Sequence, residues 1–520
     1  MYKRKKALPS SAFLLFMCWA STSSCLAGHY TTKTIYQAQQ NLNTYELVPL
    51  GFEPIHTQLV ARHGSRGLSK MKADLALLNL WKAAREQNAI TALGEDLGPQ
   101  LEKLIEVNAL LGYGVLRSSP PGYGNLSRRG VQEHEQLAQS MLMRLPSLFA
   151  RLEEDPIPPD QKSIRVLHSG VSRAKDSAES FVNALLSQKP KLKAQLDYPI
   201  LKAYPDANPK DQLPGVNRFL LYFHSLNDRT DGAYKVNDPN AKIFKNSQIY
   251  QAHSKGPRIT AKIDLLRQSE VMHSTANSVL SRIFKTDFLD RLKSGKFEVA
   301  NTGKLHFKSK DGLYEVQIEG EGKTQIRSPL DALMALSDVY EIAPGLQHEL
   351  GFNFDGYIRE NEAKILAEAN DAEDFYTRGP GIAEDPPVNA NMAEGLLKDL
   401  FEQIHQTNSS PFGKGATLRF THAEVLVSFA SILQIPKLTQ ALPFAENYSH
   451  ANSAWRGALI APYSANVQWD AFKNTEGSLI VRMLYNEKET RFKSQCDAAK
   501  IHPKSFYYKY EALKACYGVD

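Results

Sequence analysis

Cysteine is scarce: 520 residues hold four, of which Cys18 and Cys25 fall in the first thirty and only Cys496 and Cys516 lie beyond. No Cys-x-x-Cys pair occurs, and no His-Glu-x-x-His run, since His134-Glu135 is followed by Gln136-Leu137-Ala138. The ligand spacings of a structural or catalytic zinc site are therefore missing, and no metal is expected. Past the first thirty residues no apolar stretch reaches the roughly eighteen needed to cross a bilayer. Internal repeats and low-complexity tracts are also lacking, which sets solenoid architectures aside. Neither sign of charge is in large excess. The formal net charge is +6, but Lys3, Arg4, Lys5 and Lys6 contribute four of it with no acid among them, leaving 6 − 4 = +2 for the rest. Nucleic-acid binding depends on many phosphate-neutralising cations on one face, so no nucleic-acid partner is expected.

What is present begins with that leader. The four cations precede an apolar run from Ala12 to Ala20 and small residues ending at Cys25-Leu26-Ala27, the pattern of a secretory signal peptide over residues 1–27. Thr22 stands where a lipoprotein signal usually has Leu, so no stable membrane anchor is expected. Localisation is then periplasmic or extracellular. In that oxidising setting Cys496 and Cys516 read as a disulfide, the alternative being two free buried thiols. A hydrophobic fraction of 42% and a charged fraction of 23% are those of a globular protein. The length calls for two domains, or one with a large insertion.

Along the chain, Ile55 to Ala61 is a short β-like run that breaks at Arg62-His63-Gly64. Ser127 can cap a helix running through Leu137, Met141 and Leu145, ended by Pro156-Ile157-Pro158-Pro159. A second strand, Ser163 to Leu167, leads through Ser172-Arg173 into a helix with Phe181 and Leu185. Residues 189–370 change texture to long Leu-rich helical windows, Ile259 to Leu292 and Leu330 to Tyr340. One hairpin interrupts them, turning at Lys310-Asp311-Gly312 between Leu305–Phe307 and Leu313–Ile318. The earlier rhythm returns with a strand, Thr417 to Thr421, then His422 and an apolar helix, Ala423 to Leu433. Further strands follow at Val467–Phe472 and Ser478–Tyr485. The expectation is an α/β catalytic domain from 28–188 and 371–520, with 189–370 as a mainly helical inserted domain.

Chemistry concentrates at three strand ends. Arg62-His63-Gly64-Ser65-Arg66 puts two guanidiniums and an imidazole in one turn; Thr421-His422-Ala423-Glu424 adds an imidazole and a carboxyl at a helix start; Arg173 begins the helix after another strand. Ligands of open α/β sheets collect at the carboxyl ends of strands, where helix N-termini offer N–H groups to anions. Taken singly, each segment has a bland reading: a solvated basic turn, a capping His–Glu pair, a surface arginine.

Taken together they resemble the histidine acid phosphatases, in the branch that includes phytases and the multiple inositol polyphosphate phosphatases. That branch has an Arg-His-Gly-x-Arg loop, an essential arginine ahead of a later helix, and His-Asp or His-Ala-Glu as second half-site; His422-Ala423-Glu424 is similar to the inositol polyphosphate form. Similarity extends to Gly124-Asn125-Leu126-Ser127, Phe219 to Phe223, Asp374 to Gly381 and Leu484 to Glu487, so it runs from about Gln58 to Cys496. The family also tends to pair late cysteines. The resemblance implies a mixed central sheet flanked by helices, no cofactor, and a small-molecule phosphomonoester substrate, myo-inositol polyphosphates such as phytate. It further implies His63 as nucleophile, Glu424 as proton donor, Arg62, Arg66, Arg173 and His422 as phosphate ligands, and Ser69 and Lys70 as substrate contacts. One departure is Leu68, where the family usually has Pro. Two other readings are a broad acid phosphatase for sugar or nucleotide phosphates and a catalytically idle anion-binding or adhesion protein.

Overall fold

The computed structural model describes residues 29–116, 119–154, 162–200, 213–227, 231, 240–409 and 415–519. The expected signal peptide and the proline run at 156–159 lie outside the described residues. The central sheet is built on β1 (Phe52–Arg62), β2 (Ile164–His168), β3 (Leu196–Asp197), β6 (Ala416–Thr421), β7 (Asn466–Asn474), β8 (Leu479–Tyr485), β9 (Lys488–Thr490) and β10 (Tyr507–Lys509). Its order is β10-β8-β7-β1-β6-β2-β3, with β9 pairing β8. Strands β1, β6, β2 and β3 run parallel, and β7 returns antiparallel along the other edge of β1. The sheet is mixed and covered on both faces, so every residue of β6 is buried.

Alternation along β1 divides two cores. Leu59 and Ala61 face α3 (Arg128–Arg144), α4 (Pro146–Glu154) and α5 (Ser172–Gln188), in one core with Met141, Phe149, Phe181 and Leu185. Val60 faces the opposite layer, where Leu426, Leu400 and Trp469 pack. Ser127 caps α3, its Oγ accepting from Gly130 N at 3.2 Å. A third core lies beyond the sheet and joins α1 (Ala73–Glu86) and α2 (Leu97–Leu110) to helices drawn from residues 270–377. The hairpin of β4 (Val299–Lys308) and β5 (Glu315–Ile326) packs beside α1, where the Asn79 amide donates to Ala300 O (2.8 Å) and Thr302 O (2.9 Å). The window 259–292 is three helices rather than one, Pro257–Arg267, Glu270–Leu280 and Thr286–Lys293. Ser269 starts the second by accepting from Met272 N at 3.3 Å. Cys496 and Cys516 form a disulfide. Among the described residues no helix is long and apolar enough to cross a membrane.

The loop after β1 is seated on the first turn of α3. Ser65 N and Oγ both donate to the buried Glu133 carboxylate, at 2.8 and 2.7 Å, and Ser127 N donates to Ser65 O at 3.0 Å. Glycine makes this approach possible: a Cβ on Gly130 would stand 2.1 Å from Ser65 O, and one on Gly64 would stand 2.4 Å from Gly130 O. Gly130→Ala should therefore destabilise by about 1–3 kcal/mol through overpacking. It should also lower kcat/KM on the order of 100-fold by displacing the loop. Gly356→Ala, where nothing lies within 4 Å, should change neither the melting temperature nor the rate.

Candidate active site

Three adjacent strand ends assemble the site. In the parallel register of β1 and β6, Arg62 lies opposite Thr421, and His63 N donates to Thr421 O at 2.9 Å. The next residues on the two strands, His63 and His422, thus stand side by side with ring centroids 5.5 Å apart. On the far side of β6, β2 ends opposite Phe420, and the chain passes through Ser169 into α5, whose second residue is Arg173. Ser169 Oγ lies 2.8 Å from His422 Nε2.

His63 is 2% exposed. Its Nδ1 is 3.0 Å from Gly64 O, which can only accept, so Nδ1 carries the proton and Nε2 keeps a lone pair. Burial, and then the charges of Arg173, Arg62 and Arg66, hold its pKa well below the usual histidine range. His422 is likewise depressed, by burial and then Arg173 and His224. Both rings are neutral.

His63 opens on a cleft of about 470 Å³, lined among others by Arg62, Arg66, Arg173 and Glu424. Arg62 is anchored through its NH1 to Thr32 O and, at 2.6 Å, to Ala461 O, with its guanidinium 4.6 Å from the Tyr463 ring centroid. Arg66 NH1 donates to Gly67 O at 2.6 Å. Among the described residues none of the three guanidiniums has a carboxylate within 4 Å, and each has a buried Nε without a partner. Burial lowers the pKa of Arg62 and of Arg173 to about 10, which still leaves both charged. Three fixed cations with donors to spare form a site for a tetrahedral anion. His422 Nδ1, buried and unpartnered, adds a further polar atom beside it.

The other cations of the cleft are paired. Lys33 Nζ lies 2.6 Å from Glu341, Arg267 pairs with Glu373, and Arg378 bridges Asp374 and Glu424 at 3.1 Å each. Glu424, at the start of the helix Ala423–Leu433, also has His224 Nε2 4.0 Å from its Oε2. Burial works to raise the Glu424 pKa, but Arg378, His224 and His422 outweigh it and hold the carboxyl well below its ordinary range. Burial takes His224 down to about 4.

Of the residues singled out in the sequence, His63, Arg62, Arg66, Arg173 and Glu424 line one cleft, and His422 is buried against His63. Ser69 and Lys70 are exposed and absent from that lining; Lys70 Nζ faces Glu321 of β5 at 3.4 Å. Sequence reasoning did not single out Arg378, His224, Lys33, Arg267 or Glu133. Arg378 lies inside the Asp374–Gly381 segment and His224 directly follows Phe219–Phe223, so those two had a nearby signal, whereas the others had none. Among the described residues no cluster of His, Cys, Asp and Glu is placed to hold a metal ion.

A neutral imidazole facing uncompensated guanidiniums suits one class of enzyme, the phosphoric monoester hydrolases, and similarity to known proteins identifies the family. The chain belongs to the histidine phosphatase superfamily (branch 2), whose family model matches residues 55–486. Human multiple inositol polyphosphate phosphatase 1 is 21% identical over 490 residues, 90% of this chain and 82% of the relative. The crystal structure of Bifidobacterium longum multiple inositol polyphosphate phosphatase in complex with inositol hexasulfate is similar with a TM-score of 0.80 and 29% identity, covering 94% of this chain and 97% of that one. The phytase from D. castellii shares the fold, with a TM-score of 0.56 and 14% identity over 94% of this chain and 84% of its own. The protein is therefore a phosphoric monoester hydrolase.

An NMR titration of the free protein should find His63 still neutral at pH values where exposed histidines, near 6.5, have charged. A His63 that titrates at or above that ordinary value would contradict the electrostatic account of the cleft.

Proposed function

We propose that the protein is a secreted phosphatase of myo-inositol polyphosphates that works through a phosphohistidine on His63. The observation that carries this is the set of three guanidiniums without carboxylate partners around the free Nε2 of His63. The substrate class is supported by the 29% identity, over 94% of the chain, to the B. longum enzyme bound to inositol hexasulfate. Lys33, Arg267 and Arg378 add cations to the same cleft for further phosphates of one substrate. Secretion rests on the leader at residues 1–27, with which the Cys496–Cys516 disulfide is compatible. In the same reading segments 28–188 and 371–520 are the α/β catalytic domain and 189–370 the mainly helical insertion, which lends the sheet its edge strand β3, with Ser69 and Lys70 as substrate contacts.

Phosphoryl transfer needs a positioned nucleophile and stabilised charge on three equatorial oxygens. Arg62, Arg66 and Arg173 hold those oxygens, and His422 donates through Nδ1, a preorganised set that requires no reorganisation during reaction. His63 Nε2 attacks phosphorus as the ester P–O bond breaks, while Glu424 gives its proton to the departing alkoxide. Water then attacks the phosphohistidine. Its proton passes to Glu424, the P–N bond breaks, phosphate leaves, and both side chains return to their starting forms.

Glu424→Gln should slow hydrolysis of an alkyl phosphate about 100- to 10,000-fold, but should slow p-nitrophenyl phosphate far less, because that leaving group barely needs the proton. Equal loss on both would contradict the role of Glu424. For substrate class, kcat/KM for myo-inositol hexakisphosphate should exceed that for glucose 6-phosphate by at least about tenfold, one cation–phosphate contact being worth roughly 1.4 kcal/mol or more. Parity would favour a broad acid phosphatase, and no turnover of any phosphomonoester would favour an idle anion-binding protein.

A further inference from the structure

Glu424 must hold a proton when the ester bond breaks, yet in the free site its neighbours keep it ionised. From the C-terminal end of the helix Glu360–Thr377, Arg378 NH1 donates to Glu424 Oε1 at 3.1 Å. His422 precedes Glu424 at the end of β6, and His224 approaches at 4.0 Å from the turn Phe223–Ser225. Arg62 and Arg66 from the loop after β1, and Arg173 from α5, complete the cationic side of the cleft. Asp374 and Glu373 lie beyond Arg378, Glu373 being neutralised by Arg267, and the phenol of Tyr250 also faces Arg378. Among the described residues, the side chains that act most strongly on Glu424 are thus the Arg378 guanidinium and the imidazoles of His224 and His422.

Resting on the reading of a multiply phosphorylated substrate, the geometry points to Arg378 as a latch that the substrate itself operates: a second phosphate of the bound molecule draws the guanidinium off Glu424, which then takes up the proton it will donate. Arg378 is built to do this. Its fork is shared between two carboxylates, NH2 on Asp374 Oδ1 and NH1 on Glu424 Oε1, so it can release one and stay tethered by the other. Its side chain is 26% exposed and lines the cleft, within reach of a ligand. It also caps the C-terminal end of its helix, where the backbone dipole favours a cation in either state. Once the guanidinium has turned to phosphate, Glu424 loses a close positive partner and gains a negative neighbour, and both changes favour the protonated form. The proton comes from solvent, passes to the leaving oxygen on cleavage, and is replaced from the attacking water in the second step. A single phosphate held by Arg62, Arg66 and Arg173 leaves Arg378 on Glu424. Arg378 is a positioning residue in this account, acting through Glu424 and selecting for polyphosphates.

The test is the pH dependence of kcat, whose alkaline limb reports the proton donor in the enzyme–substrate complex. In the wild-type protein that limb should lie about one pH unit or more higher with myo-inositol hexakisphosphate than with glucose 6-phosphate, the size expected when a charge contact at ~4 Å is exchanged near a protein surface. In Arg378→Met the limb for glucose 6-phosphate should move up and the gap should close, while KM for the hexakisphosphate rises. In Arg378→Lys, which keeps a charge, part of the gap should remain. Coincident limbs in the wild type, or a gap undiminished in Arg378→Met, would overturn the latch while leaving the substrate reading intact. No release of phosphate from the hexakisphosphate would sink both. The wild-type comparison stands whether or not the variants fold.

Discussion

The site depends on one constraint, the parallel register of β1, β6 and β2. It fixes Arg62 opposite Thr421 and His168 opposite Phe420, so that the residues leaving the three strands meet at one edge of the sheet. No side chain has to search for its partner. The register also accounts for an arrangement that would otherwise be unfavourable. Three guanidiniums, one buried and two half-buried, converge on one cleft without carboxylate partners, a placement that opposes their solvation. Arg62 is held there by the backbone carbonyls of Thr32 and Ala461 and by the Tyr463 ring, Arg66 by a loop pinned through Glu133, and Arg173 by its place at the start of α5. A phosphate dianion relieves what the fold imposes, which is why the free site is strongly predisposed to an anion.

The cleft divides its cations into two kinds. In the proposed mechanism Arg62, Arg66 and Arg173 take the phosphoryl group that moves, and burial together with the same charges keeps His63 neutral. Lys33, Arg267 and Arg378 arrive already neutralised by Glu341, Glu373, Asp374 and Glu424. A ligand reaches those only by exchange, and in the proposed reading they respond to the rest of the substrate rather than to the reacting group. Glu424 belongs to both sets, which makes it the point where recognition and chemistry touch.

Much of this was legible in the sequence. Strand ends were, because a β-like run that stops at Arg-His-Gly or Thr-His-Ala announces both its end and its chemistry; β1 begins three residues earlier than that run and ends one later. Helix Ala423–Leu433 and the Ser127 cap follow from local pattern alone. The disulfide followed from there being two cysteines beyond the first thirty residues. Packing partners were not legible. Apolar periodicity says that α1 and α2 have a buried face, but not that this face meets helices some two hundred residues away. The same limit explains Ser69 and Lys70: Leu68, standing where Pro is usual, packs against that distant core, and its N–H donates to Asn108 Oδ1 at 2.7 Å, carrying the chain away from the cleft lining. Arg378 and His224 gain their meaning only from Glu424, a contact that no local spacing encodes.

The central claim is that the substrate phosphoryl group is carried on His63. Its most direct test is to mix the protein with ³²P-labelled substrate, quench within the first turnovers under alkaline conditions that preserve phosphoramidates, and map the label by peptide sequencing. An acid-labile phosphoryl group is expected on the peptide containing His63, at Nε2, and none in His63→Ala. Label on another residue, or turnover with inversion of configuration at phosphorus and no phosphoprotein, would contradict it.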